Sequence, residues 1–364
     1  MPKRYWLVVG TFLLSMLLYV DRICISAAKE SVAGDLRLSD KQMGWVLSAF
    51  ALGYALFQTP AGLLADRFGP RRVLTGVVTF WSVFTGLTGA AWNLTSLLVF
   101  RFLFGAGEAG AFPACARAIY SWIPMGERGI AQGINFSGSR LGAAFALPGV
   151  ALILDYLGWR ITFAMLAFIG VAWAVFWYFW FRDDPADHPR ISAQELERIL
   201  STRQAAAHGD ATADEQSALT AGMLLGSRNL WLAMGQYFAS NFTFFFCLTW
   251  LFPHLQERYQ LGTVQTGLYA SAPLIFGALG NWTAGVLVDA IYRRGYWTLS
   301  RQVPAILGFV LAAMGLVASV YMTTPLGAIA WLSVAIFGAD MTLSPSWSLC
   351  IDIGAAMPEP SRAR

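Results

Sequence analysis

The chain has 364 residues, 57% of them hydrophobic and only 13% charged, with a net charge of +4 and a mean hydropathy of +0.54. Soluble domains carry about 25% charged residues, so this composition excludes an ordinary soluble enzyme and makes a lipid bilayer the main solvent. The four Cys (24, 115, 247, 350) and three His (188, 208, 254) fall in no metal-ligand or CxxC spacing, so no metal or other cofactor is expected, and the Cys read as small apolar core residues.

Lys3 and Arg4 open an apolar run, and Ser26, Ala27 and Ala28 resemble a signal cleavage site. Asp21 and Arg22 interrupt that run and more spans follow, so an uncleaved first helix is expected. A span takes about 20 mainly apolar residues. Ten such runs are read, at 5–26, 43–64, 73–92, 94–122, 130–154, 161–181, 229–252, 264–288, 303–322 and 326–350. The expected fold is an all-α polytopic membrane protein. Its parts are an N-terminal six-helix bundle (1–181), a cytoplasmic linker (182–228) and a C-terminal bundle of four helices (229–364). Within the linker, RDDPADHP cannot stay helical past its prolines. ISAQELERILSTRQAAA has a helical pattern with Glu and Arg on its wet face, HGDATADEQSA reads as flexible, and ALTAGMLLGS reads as lying along the interface. Arg and Lys gather at alternate span ends (Arg67, Arg71, Arg72, Arg128, Arg182, Arg293, Arg294 and Arg301 among them), while the opposite ends carry Lys29, Arg37, Lys41, Arg160 and Arg258. The positive-inside rule then puts the N-terminus in the cytoplasm.

An internal repeat supports two halves. GLLADRFGPRR closes the second span with Gly62 four residues before Asp66, and GVLVDAIYRRG closes the eighth with Gly285 four before Asp289, an offset of 223. Each Asp is placed to meet the positive N-terminus of a neighbouring helix. The Arg that follow (Arg67, Arg71 and Arg72 after Gly69; Arg293 and Arg294) are placed to meet carboxylates or lipid headgroups. The two loops are candidate gates; the bland alternative is a tight loop obeying the positive-inside rule.

Ionisable groups inside spans cost at least about 2.5–3.5 kcal/mol each and mark function by default. Here they are Asp21 and Arg22 in the first span, Arg101 and Glu108 in the fourth, Arg140 in the fifth and Asp340 in the tenth. Arg101 and Glu108, seven residues apart, share a helix face about 10 Å apart. Asp21 and Arg22 diverge by about 100°, which lets one face the fourth span and the other a substrate. The four charges balance, so protonating a carboxylate frees an Arg for an anion. A merely structural ion pair is the alternative. GAGEAG fits GxGxxG, but no strand precedes it, and close packing explains Gly105, Ala109 and Gly110 better. Arg140 is either a second anion contact or snorkels, and Arg117 reads as snorkelling. Tyr19, Tyr54, Gln58, Asn135, Ser139, Asn241, Ser344, Ser346 and Trp347 are the uncharged candidates for reading a polyol.

These residues carry a resemblance. GLLADRFGPRR resembles the signature loop of the major facilitator superfamily. LLYVDRICIS, RFLFGAGEAGAFPA, FRDDPADHPRISAQELERI and FFFCLTWLFPHL resemble its anion:cation symporter family, which includes bacterial sugar-acid, hexuronate and galactonate carriers. The resemblance implies two six-helix bundles, twelve helices in all, of which ten are read here. It implies proton-carrying roles for Asp21 and Glu108 and anion-binding roles for Arg22 and Arg101. It also puts Tyr19, Tyr54, Ser139, Ser344, Ser346 and Trp347 at substrate-contact positions. The function it implies is proton-coupled symport of a small organic anion by alternating access, in a monomer of the bacterial inner membrane, with protons, the anion and the bilayer as partners and no nucleic acid. The alternatives are transport of another carboxylate or aromatic acid, and a shortened chain that binds without transporting.

Overall fold

The computed structural model describes residues 2–202, 226, 228–261 and 263–355. Every element in them is helical. In chain order they are α1 (Lys3–Ala27), α2 (Lys29–Leu36), α3 (Asp40–Gly89), α4 (Leu94–Glu108), α5 (Ala111–Trp122), α6 (Arg128–Trp180), α7 (Ala193–Thr202), α8 (Arg228–Tyr259), α9 (Thr263–Arg293), α10 (Trp297–Val320), α11 (Pro325–Met341) and α12 (Leu343–Ala355). HGDATADEQSA and nearly all of ALTAGMLLGS lie outside the described residues. Two compact units emerge, one of residues 1–122 and 137–196, the other of 123–136 and 197–364.

Helix starts follow local chemistry. Ser39 and Gln42 form a capping box at α3, Asn93 and Ser96 another at α4, and Thr324 caps α11 with Pro325 at its first position, each satisfying N–H groups that a helix start leaves open. α3 has 50 residues, about 75 Å if straight, far more than a hydrocarbon layer of about 30 Å. It holds two predicted spans, divided at Gly69, whose φ of 78° suits glycine. α6 is divided likewise at Gly158. Among the described residues, seven helical stretches are individually long and apolar enough to cross a membrane, and large apolar side chains lie exposed along them, Phe168 at 75% and Leu268 at 71% among them. A surface so apolar is stable only against lipid.

Within the first unit, α3 and α4 cross at minimal distance. A Cβ on Gly53 would strike the Phe102 carbonyl, and one on Gly105 the Phe50 carbonyl. This reciprocal contact lets two backbones touch. Gly105→Ala should lower the thermal midpoint in detergent, because overpacking costs about 1–3 kcal/mol. Gly76→Ala, where the added methyl meets nothing within 4 Å, should leave it unchanged or raised.

The segment that begins at Arg182, expected to open a linker, is a docked strap. Asp183 accepts the Arg71 backbone N–H at 2.8 Å, and the Arg182 carbonyl accepts from Trp122 Nε1 at 2.8 Å. Glu195, read from sequence as wet, is buried instead. It accepts the backbone N–H groups of Lys3 and Arg4 at 2.9 and 3.0 Å, because the open start of α1 offers more than water does. His188 is 5% exposed, edge-on to Trp122 and Trp180. Burial holds its pKa below the usual value, helped by Lys3, Arg182 and Arg190 and opposed by Glu195. The folded strap therefore favours neutral imidazole, and its stability is complete above the unfolded value near 6.5 and falls as pH drops below it. Hydrogen exchange across residues 191–202, corrected for intrinsic rates, should speed up between pH 7.5 and 5.5, and a His188→Gln variant should lose that dependence.

Candidate functional site

The first unit gathers the predicted charges. α1 and α4 bring Arg22 Nε to 2.7 Å from Glu108 Oε2, with Glu108 fully buried and the Arg22 side chain 11% exposed. Three aromatic rings surround the Arg22 guanidinium, Tyr54 at 4.6 Å, Tyr19 at 4.9 Å and Phe50 at 5.1 Å. Arg101 is stacked on Phe104 at 4.3 Å and lies 5.4 Å from the same Phe50 ring, so one ring serves both guanidiniums through its negative face. Asp21 is buried beside Glu108, Arg101 and Trp81. The expected divergence of Asp21 and Arg22 is corrected: both lie near groups on α4, because the long side chains of Arg22, Arg101 and Glu108 bridge the gap.

Several atoms of this cluster are buried without a hydrogen-bond partner: both Asp21 oxygens, Arg22 Nη2, Arg101 Nε and Glu108 Oε1. A buried group left open costs about 1–3 kcal/mol, more when charged, so the cluster has donors and acceptors to spare for an exchangeable guest.

The fourth span is not one helix. α4 ends at Glu108, Ala109 and Gly110 form a turn, and α5 starts at Ala111. The tenth span breaks likewise between α11 and α12, at Thr342, beside the buried Asp340. Glu108 stands five residues before Pro113, and Asp340 five before Pro345.

The other candidates divide as follows. In the first unit Gln58 Nε2 lies 3.5 Å from the Tyr54 hydroxyl. Arg140 does not snorkel: it is 4% exposed and donates to Ser139 Oγ at 3.2 Å. Arg117, also read as snorkelling, lies 3.7 Å from Asp66. In the second unit Asn135 donates to Gln132 at 3.4 Å, and Asn241 to the Tyr237 carbonyl of its own helix. Ser344 donates to the Gly129 carbonyl at 2.7 Å. Ser346 donates to Thr342 O and Gln236 Oε1. Trp347 packs on Phe136 and Tyr237.

The two candidate gate loops differ. Asp289 is buried and accepts the backbone N–H groups of Gly129 and Ile130, both at 2.8 Å, capping the start of α6, and Gly285 lies against the Gly129 carbonyl. Arg293 Nε returns to the Asp289 carbonyl, and Arg294 is exposed. In the first loop Asp66 is 72% exposed and Gly62 faces Pro113 with ordinary clearance. Arg67 lies over Phe68, Arg71 over Tyr178, and Arg72 points outward. Asp352, which no sequence signal marked, accepts from Arg128 Nη1 at 2.9 Å and Arg301 Nη2 at 2.6 Å.

The family model described as Major Facilitator Superfamily matches residues 11–360. The chain belongs to the Major Facilitator Superfamily. Among its relatives is a Cupriavidus necator protein named "Probable sulfoacetate transporter SauU", 36% identical, with 96% of this chain and 80% of that one covered. Another is the Escherichia coli "Probable galactarate/D-glucarate transporter GarP", 34% identical over 92% of this chain and 78% of the relative. The solved structure of the proton:xylose symporter XylE superposes with a TM-score of 0.70 at 17% identity, covering 96% of this chain and 82% of that one, a likeness of fold alone. This facilitator chain is an integral membrane transporter and not an enzyme. Among its described residues no group of His, Cys, Asp and Glu is arranged to hold a metal. Cys24 and Cys115 are buried as read, while Cys350 is exposed; the side chain of Cys247 lies outside the described residues.

Sequence reasoning missed Phe50, Phe104 and Trp81, since one aromatic residue in an apolar helix carries no mark of what it touches. The spacing of Phe50 and Tyr54, one turn apart on a face that meets Arg22, was the available signal.

Proposed function

We propose that this transporter couples inward proton flow to uptake of a small organic anion, a sugar acid or a similar doubly charged acid, by alternating access. The observation that carries the reading is the buried Arg22–Glu108 pair with its spare Arg22 Nη2 and Glu108 Oε1. While Glu108 is charged it occupies Arg22. A proton on Glu108 or Asp21 removes the competing negative charge, and an acidic group of the substrate then takes Arg22 and Arg101. The proton offsets the charge of the acidic head that takes Arg22 and Arg101, which makes binding of the anion and of the proton mutually favourable. The printed names of the two relatives, sulfoacetate on one side and galactarate or glucarate on the other, support a substrate with two acidic heads. Tyr19, Tyr54, Gln58, Ser139, Arg140, Asn241, Ser344, Ser346 and Trp347 are assigned to substrate contact. The loops at Gly62–Arg72 and Gly285–Arg294 are assigned to gating. The protein acts as a monomer in the bacterial inner membrane with its N-terminus and the 182–228 linker in the cytoplasm.

The test is uptake of labelled glucarate and sulfoacetate into proteoliposomes. A pH gradient, acid outside, should accelerate uptake of at least one, and a protonophore should abolish the acceleration. Uptake indifferent to the gradient removes the coupling. Saturable uptake of an aromatic monoacid in place of both diacids would replace the substrate class.

A further inference from the structure

Trp81 lies in the second half of α3, fully buried, and its indole N–H has no hydrogen-bond partner. Beside it stands the Asp21 carboxyl, also buried, with neither oxygen bonded. A donor and an acceptor that meet in an apolar interior without closing a hydrogen bond of ordinary geometry are each costly, by about 1–3 kcal/mol. The backbone that carries Trp81 is held close to α4, because a Cβ on Gly107 would meet the Phe80 ring and the Trp81 Cβ and backbone N. The groups facing Asp21 are Glu108 and Arg101 from α4, Cys24 one turn along α1, and Trp81 from α3. Arg22 is engaged by Glu108.

We propose that Trp81 is the positioning residue of the proton site at Asp21: its N–H closes onto the carboxylate when the proton leaves and loosens when the proton returns. An indole N–H donates and never accepts, so Trp81 cannot take the proton itself. A hydrogen bond to an ionised acceptor is about twice as strong as one between neutral groups, so the Trp81 N–H holds the carboxylate more tightly than it holds the acid. Its hold keeps the ionised carboxylate in one orientation after the proton and the substrate have left. The inference rests on the reading of Asp21 as a proton carrier.

The experiment is a double-mutant comparison of Trp81→Phe, Asp21→Asn and the pair in proteoliposomes, with proton-driven uptake followed from pH 5 to 8.5. Trp81→Phe keeps the buried ring and removes the N–H. Its uptake profile should move to higher pH by about half a unit to one unit, as losing a hydrogen bond to a charged group allows, while substrate exchange at acid pH, which needs no proton release, stays as in the parent. In the Asp21→Asn background the same change should have no further effect on the profile. An unshifted profile, or an equal shift in both backgrounds, overturns the positioning role. Asp21→Asn with the parent's pH dependence overturns the proton-carrier reading itself, whatever Trp81 does. Where uptake by Asp21→Asn is too slow to follow, protection of the detergent-solubilised protein from thermal unfolding by glucarate over the same pH range supplies the same comparison.

Discussion

Arg22→Ala should abolish anion uptake, by about 100-fold or more, because truncating one partner of a buried charged contact costs on the order of 2–5 kcal/mol. It should also weaken the fold. Glu108 accepts from Arg22 Nε at 2.7 Å and has no exposure to water, so removing the guanidinium strands a carboxylate, at a cost of about 3–5 kcal/mol. The two effects can be separated. Arg22→Met combined with Glu108→Gln removes both charges and keeps most of the volume, and replacing a buried pair this way is often neutral or stabilising. That double variant should recover the thermal midpoint and remain inactive. If it transported at the parent rate, the pair would be helix glue and not an anion site. If Arg22→Ala alone kept uptake, the binding role would be gone.

Asp352→Ala should destabilise the second unit more than any other single change outside the charge cluster. Its carboxylate is shared by Arg128 at 2.9 Å and Arg301 at 2.6 Å, and also accepts from Trp297 Nε1 at 3.2 Å. Arg128 is fully buried and Arg301 6% exposed. Removing the acid they share leaves two cations repelling in low dielectric, and about 3–5 kcal/mol is the expected loss. Asp352→Asn, which keeps the acceptor oxygen but not the charge, should fall between the parent and the alanine variant. Thermal unfolding in detergent reads both; a midpoint unchanged in Asp352→Ala would show that the network contributes no stability.

The facilitator fold was legible because bilayer physics leaves so few options. Ten apolar runs can only be helices where lipid offers no hydrogen bonds, and each of those runs is helical over most of its described residues. The charged residues announced themselves for the same reason: Asp21, Arg22, Arg101 and Glu108 are expensive wherever they sit in a span. Spacing also placed Arg101 and Glu108 on one face.

Which charge meets which was not legible. Asp21 and Arg22 are neighbours in sequence, and helical geometry alone leaves open which of them takes Glu108. The depth and roll of α1 against α4 decide it, and α1 is seated by backbone contacts far away in the chain, those of Gly138 with Phe12 and of Gly142 with Met16 on α6 and α1. The turn after Glu108 was hidden as well, because Ala109 and Gly110 are as compatible with a packed helix as with a break. Glu195 looked like a solvated residue until the open N–H groups of Lys3 and Arg4 were found beside it. The sequence by itself determined the membrane environment, the helices and the identity of the costly charges, since those depend on how each segment partitions between water and lipid. Tertiary structure decided the pairings, the helix breaks and the aromatic cage around Arg22, since those depend on side chains far apart in the chain competing for the same few buried partners.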